Sequence, residues 1–303
     1  MSLDRLISKI ATTQNPTVLG LDPILSYIPD EIKSDAFAKH GKTLEGAANA
    51  LLCFNKALID AVCDVIPAVK PQAAFYEMYG WQGVRTLAET ILYAKSKGMF
   101  VIVDAKRGDI GSTIEAYANG WLGVTDVEGV SFAPFGGDAL TVNGYLGSDG
   151  IDPLIKVCKE QGKGIFVLSK TSNPSSGELQ DLIINNGKAV YETMAILCDR
   201  WGNALPGEFG FNGVGVVVGA TYPEQLTELR RLFPNLFFLV PGYGTQGGGG
   251  KSVAGAFNKN GMGAIVNASR SLMCAWQKAP GMSLADATRA EAVRMKNDIV
   301  NNR

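Results

Sequence analysis

The stretch 99–113 reads MFVIVDAKRGDIGST and passes abruptly from apolar to charged residues. Its first five residues are apolar, as in a strand buried on both faces, and Asp104, Lys106 and Asp109 follow. Side chains at i and i+2 of an extended chain point to the same side, so Asp104 and Lys106 share one side of the strand end. The pattern predicts a buried parallel strand that delivers a charged cluster to one edge of a sheet.

Similar apolar, β-branched runs recur along the chain, with amphipathic helical patterns between them. Helices are predicted at 43–62, 223–233 and 283–300, the last with Ser283 as its cap. Strands alternating with helices predict an α/β fold, a (β/α)8 TIM barrel with helical insertions in a single domain, 1–303. The predicted strands are TVLGLD (17–22), VIPAVK (65–70), FVIVDAK (100–106), ALTVN (139–143), GIFVLS (164–169), GVGVVVGA (213–220), LFFLV (236–240) and GAIVNAS (263–269).

A doubly wound open sheet is the alternative fold, but no G-x-G-x-x-G follows the first predicted strand. Two stretches, 24–42 and 170–212, are longer than ordinary connections in a compact domain. We expect both to be insertions that carry short helices.

Composition excludes several classes of protein. The 28 Lys and Arg residues nearly balance the 29 Asp and Glu residues, which argues against a nucleic-acid or membrane-surface binder. No run approaches the length of a membrane span, and the N-terminal sequence lacks the apolar stretch of a signal peptide. The five scattered cysteines form no C-x-x-C pair, so we expect reduced thiols in a cytoplasmic protein. His40 is the single histidine, which excludes a zinc site built on several histidines.

Polar residues follow the predicted strands, and in a barrel the catalytic groups gather at the C-terminal strand ends. Paired charges at such a position are poorly explained as a stability device, because burying them costs desolvation energy. The ends carry Asp22, Lys70, Asp104 with Lys106, Asn143, the stretch 169–172, the stretch 241–250, and Ser269 with Arg270.

The glycine-rich stretch PGYGTQGGGGKS (241–252) ends like a nucleotide-binding P-loop but does not match its spacing. The pattern G-x-x-x-x-G-K-[ST] requires a glycine five positions before Gly250, where this chain has Thr245. Loops after the seventh and eighth barrel strands are the usual phosphate site of a TIM barrel. The stretch is therefore predicted to hold a monophosphate.

Together these segments resemble the orotidine 5'-phosphate decarboxylase family, in particular its longer bacterial branch. The segments are GLDP (20–23), VKPQAAFYE (69–77), DAKRGDIGST (104–113), SKTSNPSSG (169–177), VGATYPEQL (218–226), PGYGTQGG (241–248) and NASRS (267–271). Many members of the family have proline where this chain has Gly111.

The resemblance implies a homodimeric barrel that converts orotidine 5'-monophosphate to UMP and CO2 without a metal or organic cofactor. It implies that Lys70, Asp104, Lys106 and Asp109 form the catalytic network, with Lys106 as the proton donor. Asp109, Ile110 and Thr113 would reach the partner subunit's site. The remaining ligand contacts would come from Asp22 and Lys70 at the ribose, Ser172 at the pyrimidine, and Pro241, Gln246, Ser269 and Arg270 at the phosphate loop and its neighbour.

Two other functions remain open on the sequence alone. A related barrel enzyme, a magnesium-dependent sugar-phosphate decarboxylase or aldolase, would share D-x-K-x-x-D. A catalytically silent nucleotide-binding protein is disfavoured because Lys106 and its charged neighbours are all present. Dependence on a metal ion would distinguish the first alternative from a cofactor-free decarboxylase.

Overall fold

The computed structural model describes residues 2–244 and 249–303, which form a closed barrel of eight parallel strands. The strands are β1 (Thr17–Leu21), β2 (Ala68–Pro71), β3 (Phe100–Arg107), β4 (Thr125–Val127), β5 (Val130–Phe132), β6 (Ala139–Val142), β7 (Gly164–Lys170), β8 (Val214–Val218), β9 (Phe238–Val240) and β10 (Ala264–Ala268). The barrel order is β1-β10-β9-β8-β7-β6-β3-β2, and β4 with β5 forms a separate antiparallel hairpin.

Helices surround the barrel, and two of them begin at hydroxyl caps. Thr43 Oγ1 accepts a hydrogen bond from Gly46 N at 3.1 Å, and Ser283 Oγ accepts one from Asp286 N at 3.1 Å. The helices are α1 (Ser2–Thr13), α2 (Asp30–His40), α3 (Leu44–Val62), α4 (Ala74–Glu77), α5 (Gly80–Ser96), α6 (Gly111–Trp121), α7 (Asp152–Gln161), α8 (Gly177–Gln180), α9 (Val190–Gly202), α10 (Pro223–Leu232), α11 (Gly250–Val253), α12 (Arg270–Met273) and α13 (Leu284–Val300).

The core has two parts because alternate side chains of each strand face opposite ways. On β3, Phe100 and Ile102 belong to the cluster inside the barrel, whereas Val101 and Val103 belong to the larger cluster under the helices. Both faces of the strand are therefore apolar, which explains the continuous hydrophobic runs in the sequence.

Helix α1 supplies a contribution to the inner cluster that the sequence pattern did not predict. Leu3, Leu6 and Ile7 are buried in that cluster together with Val18 of β1 and Phe100 of β3. The contact ties the N-terminal helix to the barrel interior. The predicted alternation began only at the first strand, so the helix preceding it was overlooked.

The predicted barrel is confirmed, and the main differences concern the boundaries of its elements. The second strand begins at Ala68 rather than at 65, because the amides of Val65 and Ile66 bond to Val62 O in the turn after α3. Leu236 and Phe237 are buried but precede β9, since burial continues beyond the paired residues. The hairpin β4–β5 was not predicted because all of its positions are exposed and carry no burial pattern.

The two long connections do carry helices. The first contains α2, where His40 is exposed near the helix end. The second contains α8 and α9, but α9 packs against β7 and β8 as an ordinary helix of the outer ring. Only the part before α9 is an insertion. In residues 2–244 and 249–303, no helix is long and apolar enough to cross a bilayer.

Candidate active site

The barrel mouth collects polar side chains because the inward-facing series of each strand changes from apolar to polar at its end. On β3 the series Phe100, Ile102 continues with Asp104, and on β2 Ala68 is followed by Lys70. On β6 Ala139 is followed by Thr141. These three strands are neighbours in the barrel, so their polar ends meet.

The Asp104 carboxylate lies at the centre of this cluster and is almost buried. Lys70 Nζ donates to its Oδ2 at 2.7 Å, and Lys106 Nζ donates to its Oδ1 at 2.7 Å. Thr141 Oγ1 donates to the same Oδ1 at 2.8 Å. The structure thus brings together three of the four predicted catalytic residues.

Thr141 is a site residue that the sequence reasoning missed. The strand-end rule selected Asn143, which is exposed, whereas Thr141 is buried two positions earlier. Thr141 follows the inward-facing Ala139 by two positions, so it also faces the barrel interior. The sequence could have indicated this only if the inward-facing side of the strand had been known.

The backbone at Lys106 adopts a conformation that is unusual for lysine. Its φ angle is 47°, in the left-handed region, and the pairing of β3 with β6 shifts register between Val103 and Arg107. Lys106 N donates to Thr141 Oγ1 at 3.0 Å, which helps to hold this turn. Strained backbone of this kind persists where its surroundings fix it, and it is common at active sites.

The charges of the cluster support one another. Burial by itself would raise the pKa of the Asp104 carboxyl, but the ammonium groups of Lys70 and Lys106 outweigh it and hold that pKa below its ordinary value of 3.8. Burial would likewise lower the pKa of Lys70, but Asp104 and Asp22 raise it above its ordinary value of 10.5. The carboxylate and the buried ammonium are therefore both charged at neutral pH.

A cavity of about 770 Å³ lies at the ends of the barrel strands. Lys70, Asp104, Lys106 and Thr141 do not line it, but Asp22, whose charge helps to raise the pKa of Lys70, does. The predicted residues Asp22, Ser172, Ser269 and Arg270 all line it, which places ends of β1, β7 and β10 around one space. The volume is in the usual range for a site that binds a small molecule.

Several buried polar atoms in the cavity wall lack a protein partner. Asp22 Oδ1, Asn267 Oδ1 and Ser271 Oγ have no hydrogen-bond partner among the described residues. Buried polar atoms are nearly always hydrogen-bonded, so these atoms indicate where a polar ligand would complete the site. Asn267 and Ser271 were not predicted as site residues, although both lie in the quoted stretch NASRS.

Gly20 shows why the first strand needs a glycine next to the cavity. A Cβ atom at this position would lie 2.0 Å from Ser269 Oγ and 2.8 Å from Asn267 Oδ1. Only glycine lets the end of β10 approach β1 this closely. The GLDP segment therefore serves the packing of the mouth as well as supplying Asp22.

The predicted phosphate residues lie at the ends of β9 and β10. Pro241 follows β9, and its carbonyl oxygen accepts a hydrogen bond from Ala220 N at 2.9 Å, while the next residue, Gly242, lines the cavity. Ser269 precedes α12, and Arg270 is its first residue. Gln246, with the neighbouring positions 245–248, lies outside the described residues.

Asp109, Ile110 and Thr113 lie on the surface at the start of α6. Asp109 Oδ1 accepts a hydrogen bond from Ile110 N at 2.8 Å, and Ile110 and Thr113 are exposed. Asp109 forms no ion pair with Lys106 of its own chain in the described structure. The fourth predicted catalytic residue is thus not part of the cluster within one chain.

No group of three or more His, Cys, Asp or Glu side chains in the described ranges is placed to hold a metal ion. The five cysteines are free thiols.

The sequence matches the family model described as orotidine 5'-phosphate decarboxylase / HUMPS family over residues 49–279. It is 41% identical over 301 residues to the orotidine 5'-phosphate decarboxylase of Rhodopirellula baltica, with 97% of each chain covered. It is 40% identical over 274 residues to that of Caldicellulosiruptor bescii, with 90% of each covered. Among solved structures, the Leishmania donovani OMP decarboxylase matches with a TM-score of 0.76 at 30% identity, covering 99% of this chain and 98% of that one.

Proposed function

This chain belongs to the orotidine 5'-phosphate decarboxylase / HUMPS family, and we propose that Lys106 is the proton donor of its reaction. The reaction is the decarboxylation of orotidine 5'-monophosphate to UMP and CO2 in pyrimidine biosynthesis, a carboxy-lyase step. The observation that carries the assignment of roles is one buried carboxylate, Asp104, held between two lysines at the barrel mouth.

The chemistry needs a cation that is also an acid. Loss of CO2 from C6 of the pyrimidine leaves a carbanion that the ring cannot delocalise well, so charge develops at one carbon. An ammonium fixed at that place stabilises the charge and then supplies the proton. Lysine suits both tasks, whereas arginine does not release its proton readily.

Of the two lysines, Lys106 is the more accessible to a ligand. Its side chain is 45% exposed, whereas that of Lys70 is 5% exposed. Lys70 and Thr141 donate hydrogen bonds to the Asp104 carboxylate and fix its position. That carboxylate in turn accepts a hydrogen bond from Lys106 and fixes the ammonium group. We therefore assign proton transfer to Lys106 and positioning of the network to Lys70, with Lys70 also contacting the ribose beside Asp22.

Asp104 would lie against the carboxylate of the substrate. Two like charges about 4 Å apart repel by roughly 4 kcal/mol at an effective dielectric of 20. This repulsion is relieved when CO2 leaves. Stabilisation of the carbanion by Lys106 remains the larger effect in this proposal, because a fixed cation acts where the new charge appears.

The cavity wall provides the rest of the substrate site. Asp22 would accept a hydrogen bond from a ribose hydroxyl through Oδ1, which has no hydrogen-bond partner among the described residues. Ser172 would contact the pyrimidine, and Arg270 with Gln246, Pro241 and the backbone near Ser269 would hold the phosphate. Arginine can bind a phosphate through two parallel hydrogen bonds.

We also propose that the protein is a homodimer whose active sites are shared. Ile110, Tyr145 and Leu146 are exposed apolar residues. The segment that carries Tyr145 and Leu146 lies against the start of α6, because Gly150 is close to both: a Cβ atom at Gly150 would lie 2.9 Å from Asp109 O and 3.5 Å from Leu146 Cβ. An exposed apolar surface of this kind favours contact with a second copy. Such a contact would carry Asp109, Ile110 and Thr113 to the partner subunit's site.

One experiment tests the cofactor-free decarboxylation directly. The absorbance of orotidine 5'-monophosphate is followed with purified protein, with and without EDTA. We expect the same rate in both samples. Complete loss of activity in EDTA with recovery in Mg²⁺ would instead favour a magnesium-dependent enzyme of the same barrel family.

A cytoplasmic location stays a prediction from the cysteine pattern.

A further inference from the structure

We propose that Lys170 is a positioning residue, whose ion pair with Asp181 fixes the loop that carries Ser172. Neither residue is part of the catalytic network or of the cavity wall. The inference rests on the proposed function at one point only, the contact of Ser172 with the pyrimidine.

Lys170 is a buried cation at the end of β7. Its side chain is 0% exposed, and its Nζ donates to Asp181 Oδ1 at 2.7 Å and to Ser176 Oγ at 3.2 Å. The same Nζ lies 4.3 Å from the centroid of the Tyr222 ring, within range of a cation–π interaction. Asp181 and Ser176 both lie in the segment that follows Ser172.

A second set of hydrogen bonds closes the same loop. Thr171 N donates to Gln180 Oε1 at 2.9 Å, and Gln180 Nε2 donates back to Thr171 Oγ1 at 2.8 Å. The two residues at the start of the loop, Lys170 and Thr171, are thus joined to the two at its end, Gln180 and Asp181. The chain between them is held as a closed ring.

Ser172 itself is fixed by the neighbouring strand end. Thr221 Oγ1 donates to Ser172 O at 3.3 Å, and a Cβ at Gly219 would lie 2.8 Å from Ser172 Cα. Tyr222 joins this strand end to the loop. Its hydroxyl donates a hydrogen bond to Asn173 O at 3.3 Å and accepts one from Ser176 Oγ at 3.0 Å. Ser172 therefore faces the cavity from a backbone held on both sides.

The ion pair is better explained by positioning than by stability. Burying an ammonium costs desolvation energy, and Asp181, 46% exposed, is a partly solvated partner that returns only part of it. An apolar side chain would fill the same place at lower cost. The lysine links a rigid barrel strand to two points of the loop, Ser176 and Asp181. These directed contacts fix the loop and thereby the position of Ser172 at its start.

The test compares two ligands that differ only in the base. UMP carries the pyrimidine, and ribose 5-phosphate lacks it, so a displaced Ser172 weakens binding of the first alone. For Asp181→Asn we expect the Kd of UMP to rise at least about tenfold, with the Kd of ribose 5-phosphate within about twofold of wild type. Lys170→Met should act in the same direction, and Lys170→Arg should retain most of the affinity for UMP.

Asp64→Asn is the matched control, because Asp64 forms a half-exposed ion pair with Arg289 at 2.6 Å. It should change neither affinity. If Asp181→Asn does not fold, Gln180→Ala removes the second link and should show the same selective loss to a smaller extent. Equal weakening of both ligands, or no change in UMP binding by a folded variant, would overturn the inference.

Ser172→Ala separates this inference from the proposed function. If Ser172→Ala leaves UMP binding unchanged, the pyrimidine contact is wrong. If it weakens UMP binding whereas Asp181→Asn does not, only the positioning role fails. If the positioning role is right, the double variant should bind UMP no more weakly than Ser172→Ala, because both changes act through one contact.

Discussion

Lys106 Nζ lies 2.7 Å from Asp104 Oδ1, although the Lys106 side chain is 45% exposed and that of Asp104 only 10%. The pair therefore joins the buried interior of the barrel to the open mouth. A left-handed backbone at Lys106 turns the chain at this point, so the lysine returns over the strand end that carries Asp104.

Lys106→Met should abolish decarboxylation while the protein still binds UMP. Loss of a general acid and of the cation at the developing charge predicts a fall in kcat of about 10³-fold or more. Lys106→Arg should be almost as inactive, because it keeps the charge but does not release a proton. Initial rates measure the effect, and Lys97→Met, which breaks the surface pair Lys97–Asp60, is the matched control. Substantial activity of Lys106→Arg would contradict the assigned proton transfer.

Thr141→Val should lower kcat by about 10- to 100-fold, corresponding to the roughly 1–3 kcal/mol of an unsatisfied buried polar group. Valine has the shape of threonine but cannot join Lys106 N to Asp104 Oδ1. Thr141→Ser should restore most of the rate. The control Thr86→Val removes a buried hydroxyl between α3 and α5 and should affect stability but not kcat. An unchanged kcat for Thr141→Val would show that the bridge has no role in turnover.

Arg270→Ala should weaken binding of the transition state by several kcal/mol. We therefore expect kcat/KM for the monophosphate to fall roughly 10²- to 10³-fold or more. Binding energy from the remote phosphate is then no longer used at the reacting carbon. Added phosphite should partly restore turnover of orotidine by the wild-type protein, because it fills the empty phosphate position. Arg231→Ala, which breaks a surface pair with Glu228, serves as the control. An unchanged kcat/KM would place Arg270 outside the site.

Mixing two inactive variants should restore activity if Asp109 serves the partner subunit's site. Lys106→Ala and Asp109→Ala homodimers each lack one residue in both sites. A hybrid dimer has one doubly substituted site and one intact site, so random exchange of equal amounts should recover about a quarter of wild-type activity. Native mass spectrometry confirms that hybrids have formed. Verified hybrids without activity would assign Asp109 to its own chain or show that the sites are coupled.

Asp104→Asn should change how stability depends on pH. The folded-state pKa of Asp104 lies below the ordinary value of 3.8, so its contribution is present above about pH 4 and is lost as pH falls toward the folded-state pKa. At neutral pH the variant leaves Lys70 buried without its main partner, which should cost about 3–5 kcal/mol. The gap in unfolding free energy between wild type and variant should narrow in acid. Denaturant titrations at several pH values measure it, and a constant gap would contradict the assigned charge state.

The sequence by itself determined the fold class and several of the residues that line the cavity at the barrel mouth. Continuous apolar runs fix strands buried on both faces, and parallel strands bring their C-terminal ends to one mouth whatever the loops do. Asp22, Ser172, Ser269 and Arg270 could therefore be assigned to one place from their positions after strands, and the structure places them in one cavity wall. The meeting of Asp104 with Lys70 followed for the same reason, whereas the contact of Asp104 with Lys106 depends on the left-handed backbone at Lys106.

Only the tertiary structure decided the details that depend on distance between strands. Thr141 was missed because its role depends on the alignment of β6 against the turned backbone of Lys106, which periodicity does not encode. The α1 contribution to the inner core and the link between Lys170 and Asp181 likewise depend on contacts between segments that are not set by local pattern. Side-chain period gives the direction in which a residue points, whereas the partner it meets is set by how neighbouring elements pack.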